Sequence, residues 1–510
     1  MVRGSRRWSS RAALVVLAAV LLLSPAWGQS SLTQLRAEVA SNPGSVSAWV
    51  ALGNAYYEQG DLEQARESYL EAIALDYTSG DAHYGLGLAQ FSRGDYQAAL
   101  FEFTEVTRLY PERFDGQFNR AVTLARLRRP AEAAQAFRAA LEQAAPEASA
   151  EDRVQALVGL AGQLELTEDW AGAAEAYQQA LELEPANTEF VLRRGQALLR
   201  AGRGLEALPE LTALEGESRD YRVSALVSDI YVAQGQIDYA VWSLERALQK
   251  AESAQDTAAQ ASTLVKLGTL QRSLGREAQA TESFERAAAA DPASWEAQYN
   301  LGVSYLEGGR TREALAPLQT AQQLGGDRGE VYLALASAHD LLGQTAEALA
   351  NAQQALSLLG DPALLTEASF IAGRALYRTG DARGANEHLR RVLEERPNDP
   401  QAQLWSGLAA YQLGDYAAAV RSFERAVQLN PNSVEARVNL GAGYLAAQRY
   451  AEAQTVYELL VAQNPNDTES LYNLGWAFFS QDRRGSARDA WVASCEQGFQ
   501  PACSAITTYL

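Results

Sequence analysis

From Leu32 to the C-terminus, apolar residues recur three and four positions apart in short runs, and a break of glycine or polar residues closes each run. That spacing places the apolar side chains on one helical face and predicts paired amphipathic helices, not strands. The pairs themselves repeat: Ser45 to Thr78, Asp399 to Asn432 and Ser433 to Asn466 align without a gap at a period of 34 residues. One such pair cannot bury its apolar face alone, so successive pairs must stack.

Registering the chain on this period places starts at Val46, Gly80, Phe114, Val154, Thr188, Tyr221, Ala261, Trp295, Gly329, Thr366, Pro400, Val434 and Thr468, thirteen units covering residues 46–501. Position 8 is small in every unit, as at Gly53, Gly87, Gly407, Gly441 and Gly475. Position 20 is always alanine, as at Ala65, Ala99, Ala419, Ala453 and Ala487. Two helices crossing where these positions face each other would be forced apart by larger side chains, at about 1–3 kcal/mol. Position 24 carries a ring in eight units, from Tyr69 to Trp491, and leucine in four; Ala352 in the ninth predicts looser packing there. Glycine at position 15 in nine units supplies the left-handed residue that ends the first helix, and proline at position 32 in six stops the second.

With small residues at 8 and 20, rings at 24 and proline at 32, the chain resembles the tetratricopeptide repeat (TPR) family. The resemblance implies an all-α fold, a right-handed α-α superhelical solenoid of about 13 TPR units in a single elongated array. Short insertions at Ala148 to Arg153, Gln255 to Gln260 and Ala363 to Leu365 follow the third, sixth and ninth units. They divide the array into residues 46–147, 148–254, 255–362 and 363–501, with the joints read either as mild hinges or as lengthened helix ends.

The N-terminus changes the compartment. Arg3, Arg6, Arg7 and Arg11 precede an apolar run from Ala12 to Leu23, and small residues stand at Ala26 and Gly28. Residues 1–28 therefore read as a signal peptide cleaved before Gln29, which makes the mature chain exported, soluble, and periplasmic or extracellular. The 43 Lys+Arg against 63 Asp+Glu give a net charge of −20, and loss of those four arginines makes it −24. Such a surface repels polyphosphate, so nucleic acid is excluded as a partner.

The ends of a stacked array need closing. Residues 29–45 hold a lone helix-like stretch from Leu32 to Ser41, suited to cap the front, and residues 502–510 close the back. Around Cys495 and Cys503 the chain resembles cysteine-rich relatives of the family, which pair cysteines at this spacing across successive helices. That resemblance implies a Cys495–Cys503 disulfide in an oxidising compartment, contributing roughly 2.5 kcal/mol by loop closure.

Little catalytic chemistry is present. His83, His339 and His388 fall in different units without metal-ligand spacing, and no zinc-protease, nucleophile-elbow or phosphate-loop motif occurs. Gly441 to Ala446 formally fits a dinucleotide fingerprint but lies inside a helical unit with no strand before it. No catalytic residue, metal or cofactor is expected, and the protein reads as a non-enzyme.

Family resemblance implies that first helices line a concave groove through positions 2, 5, 9 and 12. Aromatics concentrate there twice, at Tyr57, Tyr84, Phe91 and Phe118, and again at Phe370, Tyr377, Tyr411, Tyr472, Trp476 and Phe479 with Leu404 and Leu408. The stretch between is poorer, although Tyr299 interrupts it, and acidic residues at position 2 of eight units bias the groove toward basic or neutral partners. Asn54 has no lysine beside it, which argues against a clamp for acidic chaperone tails. The expected function is a protein-interaction scaffold of the cell envelope binding peptide or helical segments. The family context suggests outer-membrane biogenesis, secretion, pilus or polysaccharide-export assemblies. The alternative is a module holding glycan or peptidoglycan strands on the groove aromatics.

Overall fold

The computed structural model describes residues 31–143 and 148–510. The leader at 1–28 and its cleavage site lie outside the described residues. Among the described residues there are 28 α-helices, one four-residue 3-10 turn and no strand. The chain divides into two bodies, one ending at Ala254 and the other running from Gln255 to Leu510. The first contains the helix Leu32–Ser41 and repeats one to six; the second contains repeats seven to thirteen and a terminal helix, Gln500–Tyr509.

In ten repeats the first helix begins at the residue that opens the 34-residue period, for example Val46–Glu58, Trp295–Glu307 and Gly329–Leu341. The other three follow the insertions. Their first helices, Ala150–Leu166, Thr257–Ser273 and Pro362–Arg378, each start four residues early and are 17 residues long. Each insertion has thus become an extra helical turn. Local chemistry sets these starts: Ser149 and Asp152 form a reciprocal capping box, and Asp256 and Asp361 accept from the first-turn amides that follow them.

Inside each hairpin the alanine at position 20 is at most 1% exposed. The tightest approach differs from the expected 8-to-20 contact. Position 8 lies against the side chain at position 24: a Cβ on Gly53 would fall 2.7 Å from the Tyr69 ring, and one on Gly407 2.5 Å from Phe423. Position 24 is the long side chain reaching back across the crossing point, while alanine at 20 only permits the approach. In repeat nine Ala352 is fully buried rather than loosely set, in a cluster with Leu333, Ala336 and Ile371.

The second helix of repeat five is broken into a 3-10 turn, Gly204–Ala207, and a helix, Leu208–Glu217. Pro209 there lacks the N–H that a continuous helix needs. At the front, Leu35 and Val39 of the capping helix pack with Leu52 and Tyr56 of repeat one, and Arg36 Nε donates to the Tyr56 hydroxyl at 2.7 Å. At the back Cys495 and Cys503 are disulfide-bonded, with Cα atoms 4.9 Å apart. The bond ties the second helix of repeat thirteen to the terminal helix, whose Ala502 and Ala505 are buried against the same cluster as Trp491. No helix among the described residues is long and apolar enough to cross a membrane.

Candidate functional site

The first helices carry the candidate groove residues, and the two aromatic concentrations behave differently. Tyr84, Phe91 and Phe118 are only 1%, 6% and 4% exposed, so they do not offer ring faces to a partner. Tyr84 meets Phe103 edge-on, and its hydroxyl accepts from Asn119 Nδ2 at 2.9 Å. Phe118 stacks on Phe114 and meets Phe137 edge-on, while Phe91 packs against Tyr96. Rings at position 24 already fill this interior, so further rings on the first helices are drawn into the same core. Tyr57 alone stays half-buried, its hydroxyl 3.0 Å from Ser92 Oγ.

In repeats ten and eleven the aromatics reach the surface. Phe370 and Tyr377 are half-buried and Tyr411 is 39% exposed, whereas Leu404 at 1% belongs to the core and Leu408 is intermediate. A feature that the spacing did not single out joins them. Asp340, 6% exposed, accepts from Arg374 Nη1 at 3.1 Å and Arg378 Nη1 at 2.6 Å. The two guanidinium groups lie 5.1 and 5.3 Å from the Trp405 ring centre, and Tyr377 meets Trp405 edge-on at 5.5 Å. Trp405 stands at position 6, outside the groove pattern, which is why the register passed over it. Burial lowers the Arg374 pKa against the opposing pull of Asp340.

In repeat thirteen Tyr472, Trp476 and Phe479 are half-buried and form a packing hub. Trp476 meets Trp491 at 5.3 Å and Tyr509 of the terminal helix at 5.0 Å, and Phe479 meets Tyr509 at 5.7 Å. Tyr472 contacts Phe499 at 5.4 Å. Much of this surface is therefore covered by the chain's own C-terminal helix.

A cavity of about 330 Å³ lies on the first-helix face of repeats eight and nine, in the stretch that the sequence made look poor. Its walls are mainly Tyr299, Leu306, Leu333 and Leu364, with Glu307, Glu330 and Ser337 also lining it. Leu364 comes from the extra turn of the helix Pro362–Arg378, so the insertion itself builds one wall.

Two of the three histidines make local structural contacts. His83, 1% exposed, bonds Glu102 Oε2 through Nδ1 at 2.6 Å and reaches the Tyr77 carbonyl oxygen through Nε2 at 3.0 Å. His339 Nδ1 lies 2.6 Å from Gln344 Oε1, and burial lowers the pKa of His388. Among the described residues no group of three or more His, Cys, Asp or Glu side chains is placed to hold a metal ion.

Family models agree with the register. A tetratricopeptide repeat model matches residues 84–149, 167–222, 265–329 and 372–434, a second such model matches 410–475, and a TPR repeat model matches 53–92. No curated protein matches the chain. Similar solved structures include the APC/C hetero-tetramer Cut9–Hcn1, at 16% identity over 88% of this chain and 99% of that chain with a TM-score of 0.35. Naa15/Naa10 bound to HypK-THB is 14% identical over 88% and 75%, with a TM-score of 0.42. A tetratricopeptide repeat protein from Parabacteroides merdae is 19% identical over 47% and 93%, with a TM-score of 0.34. With models matching more than half of its length, and small residues, rings and left-handed turns at the repeating positions, the chain belongs to the tetratricopeptide repeat family.

Proposed function

We propose that the protein is a non-catalytic scaffold that is exported to the cell envelope and binds peptide or helical segments of other proteins on its first-helix faces. The observation that carries this reading is the half-exposed surface of Phe370, Tyr377, Trp405 and Tyr411 with Arg374 and Arg378. Aromatic and arginine side chains of this kind give large contact area and directional bonds at low entropic cost, and dominate the energetics of protein interfaces. Export is supported by the basic and apolar leader and by the Cys495–Cys503 bond, which persists in an oxidising compartment. Outer-membrane biogenesis, secretion, pilus assembly and polysaccharide export are the settings in which such a scaffold would serve. The rings at Trp476 are engaged by Trp491 and by Tyr509 of the terminal helix, so they carry neither this reading nor glycan stacking.

The test is photo-crosslinking in the native host from Phe370 and Tyr411, with Trp405→Ala as the comparison. Discrete protein adducts that weaken with Trp405→Ala are expected, on a chain whose first residue by mass spectrometry is Gln29. Failure to form adducts at both positions would remove the scaffold reading, and an uncleaved leader would remove export.

A further inference from the structure

The cavity between repeats eight and nine has mainly apolar walls, and its charged lining residues, Glu307 and Glu330, are both acidic. Leu333 is 8% exposed, and Tyr299, Leu306 and Leu364 are half-buried, so the space is an open recess with apolar walls. At about 330 Å³ it stands at the small end of ligand pockets, a size for one or two side chains.

The charges select among occupants. Glu307 and Glu330 are exposed; Glu307 has only the long 3.6 Å contact to Arg272, and Glu330 makes no ion pair among the described residues. The Tyr299 hydroxyl has its pKa raised by burial and by the Glu330 and Glu307 charges, against the pull of Arg272. An acidic segment would meet these carboxylates and the net charge of −20. A basic segment would complete them.

We propose that this recess receives an aliphatic side chain from a partner segment that carries a basic residue beside it. The apolar group fills the space against Leu306, Leu333 and Leu364, and the cation lies over Glu330 and Glu307. The proposal deepens the scaffold reading by naming the chemistry of one bound segment, and it rests on that reading. It also gives the third insertion a purpose, since Leu364 lies in the turn that the insertion adds.

The test is titration of the mature chain with a capped peptide of alternating arginine and leucine, with a glutamate–leucine peptide and an arginine–glycine peptide as controls. The arginine–leucine peptide is expected to bind saturably and more weakly as salt rises, with neither control binding comparably. The double variant Glu307→Gln with Glu330→Gln should lower its affinity about tenfold, the loss of two partly screened charge pairs. Leu364→Lys, at a half-buried position in the extra turn, should abolish binding by placing a cation in the recess, and Ala334→Phe should do so by filling it. Equal binding of the glutamate–leucine peptide, or full affinity in both Leu364→Lys and Ala334→Phe, would overturn the proposal. If the peptide fails to bind while adducts still form at Phe370 and Tyr411, this inference falls and the scaffold reading stands. If both fail, both fall.

Discussion

The residue that ends each first helix is left-handed whether or not it is glycine. Gly94 at position 15 has φ 87°, and the four repeats without glycine there hold Arg128, Glu168, Gln448 and Asp482 at φ 57–61°. The hairpin turn demands this conformation, and a Cβ in it costs about 1–2 kcal/mol. Arg128→Gly and Gln448→Gly should therefore each stabilise the chain by about 0.5–1 kcal/mol, after the extra freedom of glycine in the unfolded chain is charged against the gain. Denaturant melting checks this, and a lower midpoint in both variants would contradict it. His83 supplies a second residue-scale case. Burial pulls its pKa down, but the bond to Glu102, the Tyr77 carbonyl and the nearby Glu105 charge more than offset this, so the value is raised. A raised histidine pKa stabilises the fold fully below the unfolded value, about 6.5. That stability is lost as pH rises through the higher folded value. His83→Gln should therefore cost most at about pH 5–6 and least above about pH 8, in melting curves across that range. A cost independent of pH would mean that the imidazole never carries its charge beside Glu102.

At the scale of the helix, the ends of the array show what stacking alone does not supply. The terminal helix Gln500–Tyr509 packs on the second helix of repeat thirteen, and it is held by Ala502, Ala505, the rings of Trp476 and Tyr509, and the disulfide. Cys495→Ser with Cys503→Ser should remove about 2.5 kcal/mol of loop-closure stabilisation. The loss should appear as faster amide exchange in 500–509, with repeats far from the end unchanged. Uniform loss across the C-terminal body would show that this end is not a separate capping element. Helix identity was legible in the sequence because it follows from a pattern repeated thirteen times, and ten first helices begin at the period's opening residue. Side-chain fate was less legible. Tyr84 and Phe370 both stand at position 5, yet one is 1% exposed and the other half-buried, because neighbouring rings and arginines decide it. Trp405 and Leu364 were missed for a related reason. One lies off the groove positions, and the other matters only because an insertion became helix.

For the molecule as a whole, the three insertions decide whether the array has weak points. A hinge would need backbone that opens easily, with few internal hydrogen bonds and few buried contacts. What stands at the insertions is an added turn on each of three 17-residue helices, fixed by capping side chains at Ser149, Asp256 and Asp361. The boundary between the two bodies falls beside the second of them, at Gln255, whose φ is 54°. Upstream capping has a measurable consequence for the amides that follow. At an ordinary repeat start such as Val46, the amides of residues 46–48 lack helical acceptors and depend on a single cap, the Ser45 hydroxyl accepting from Ala48 N. At Val154, Ala261 and Thr366 the same positions lie a full turn inside a helix, and each amide has an acceptor four residues earlier. Amides over 154–156, 261–263 and 366–368 should therefore exchange at least about tenfold more slowly than those over 46–48, one helical hydrogen bond being worth about 1 kcal/mol or more. If they exchange as fast or faster, the insertions are hinges after all, and the wall that Leu364 contributes would be a moving one.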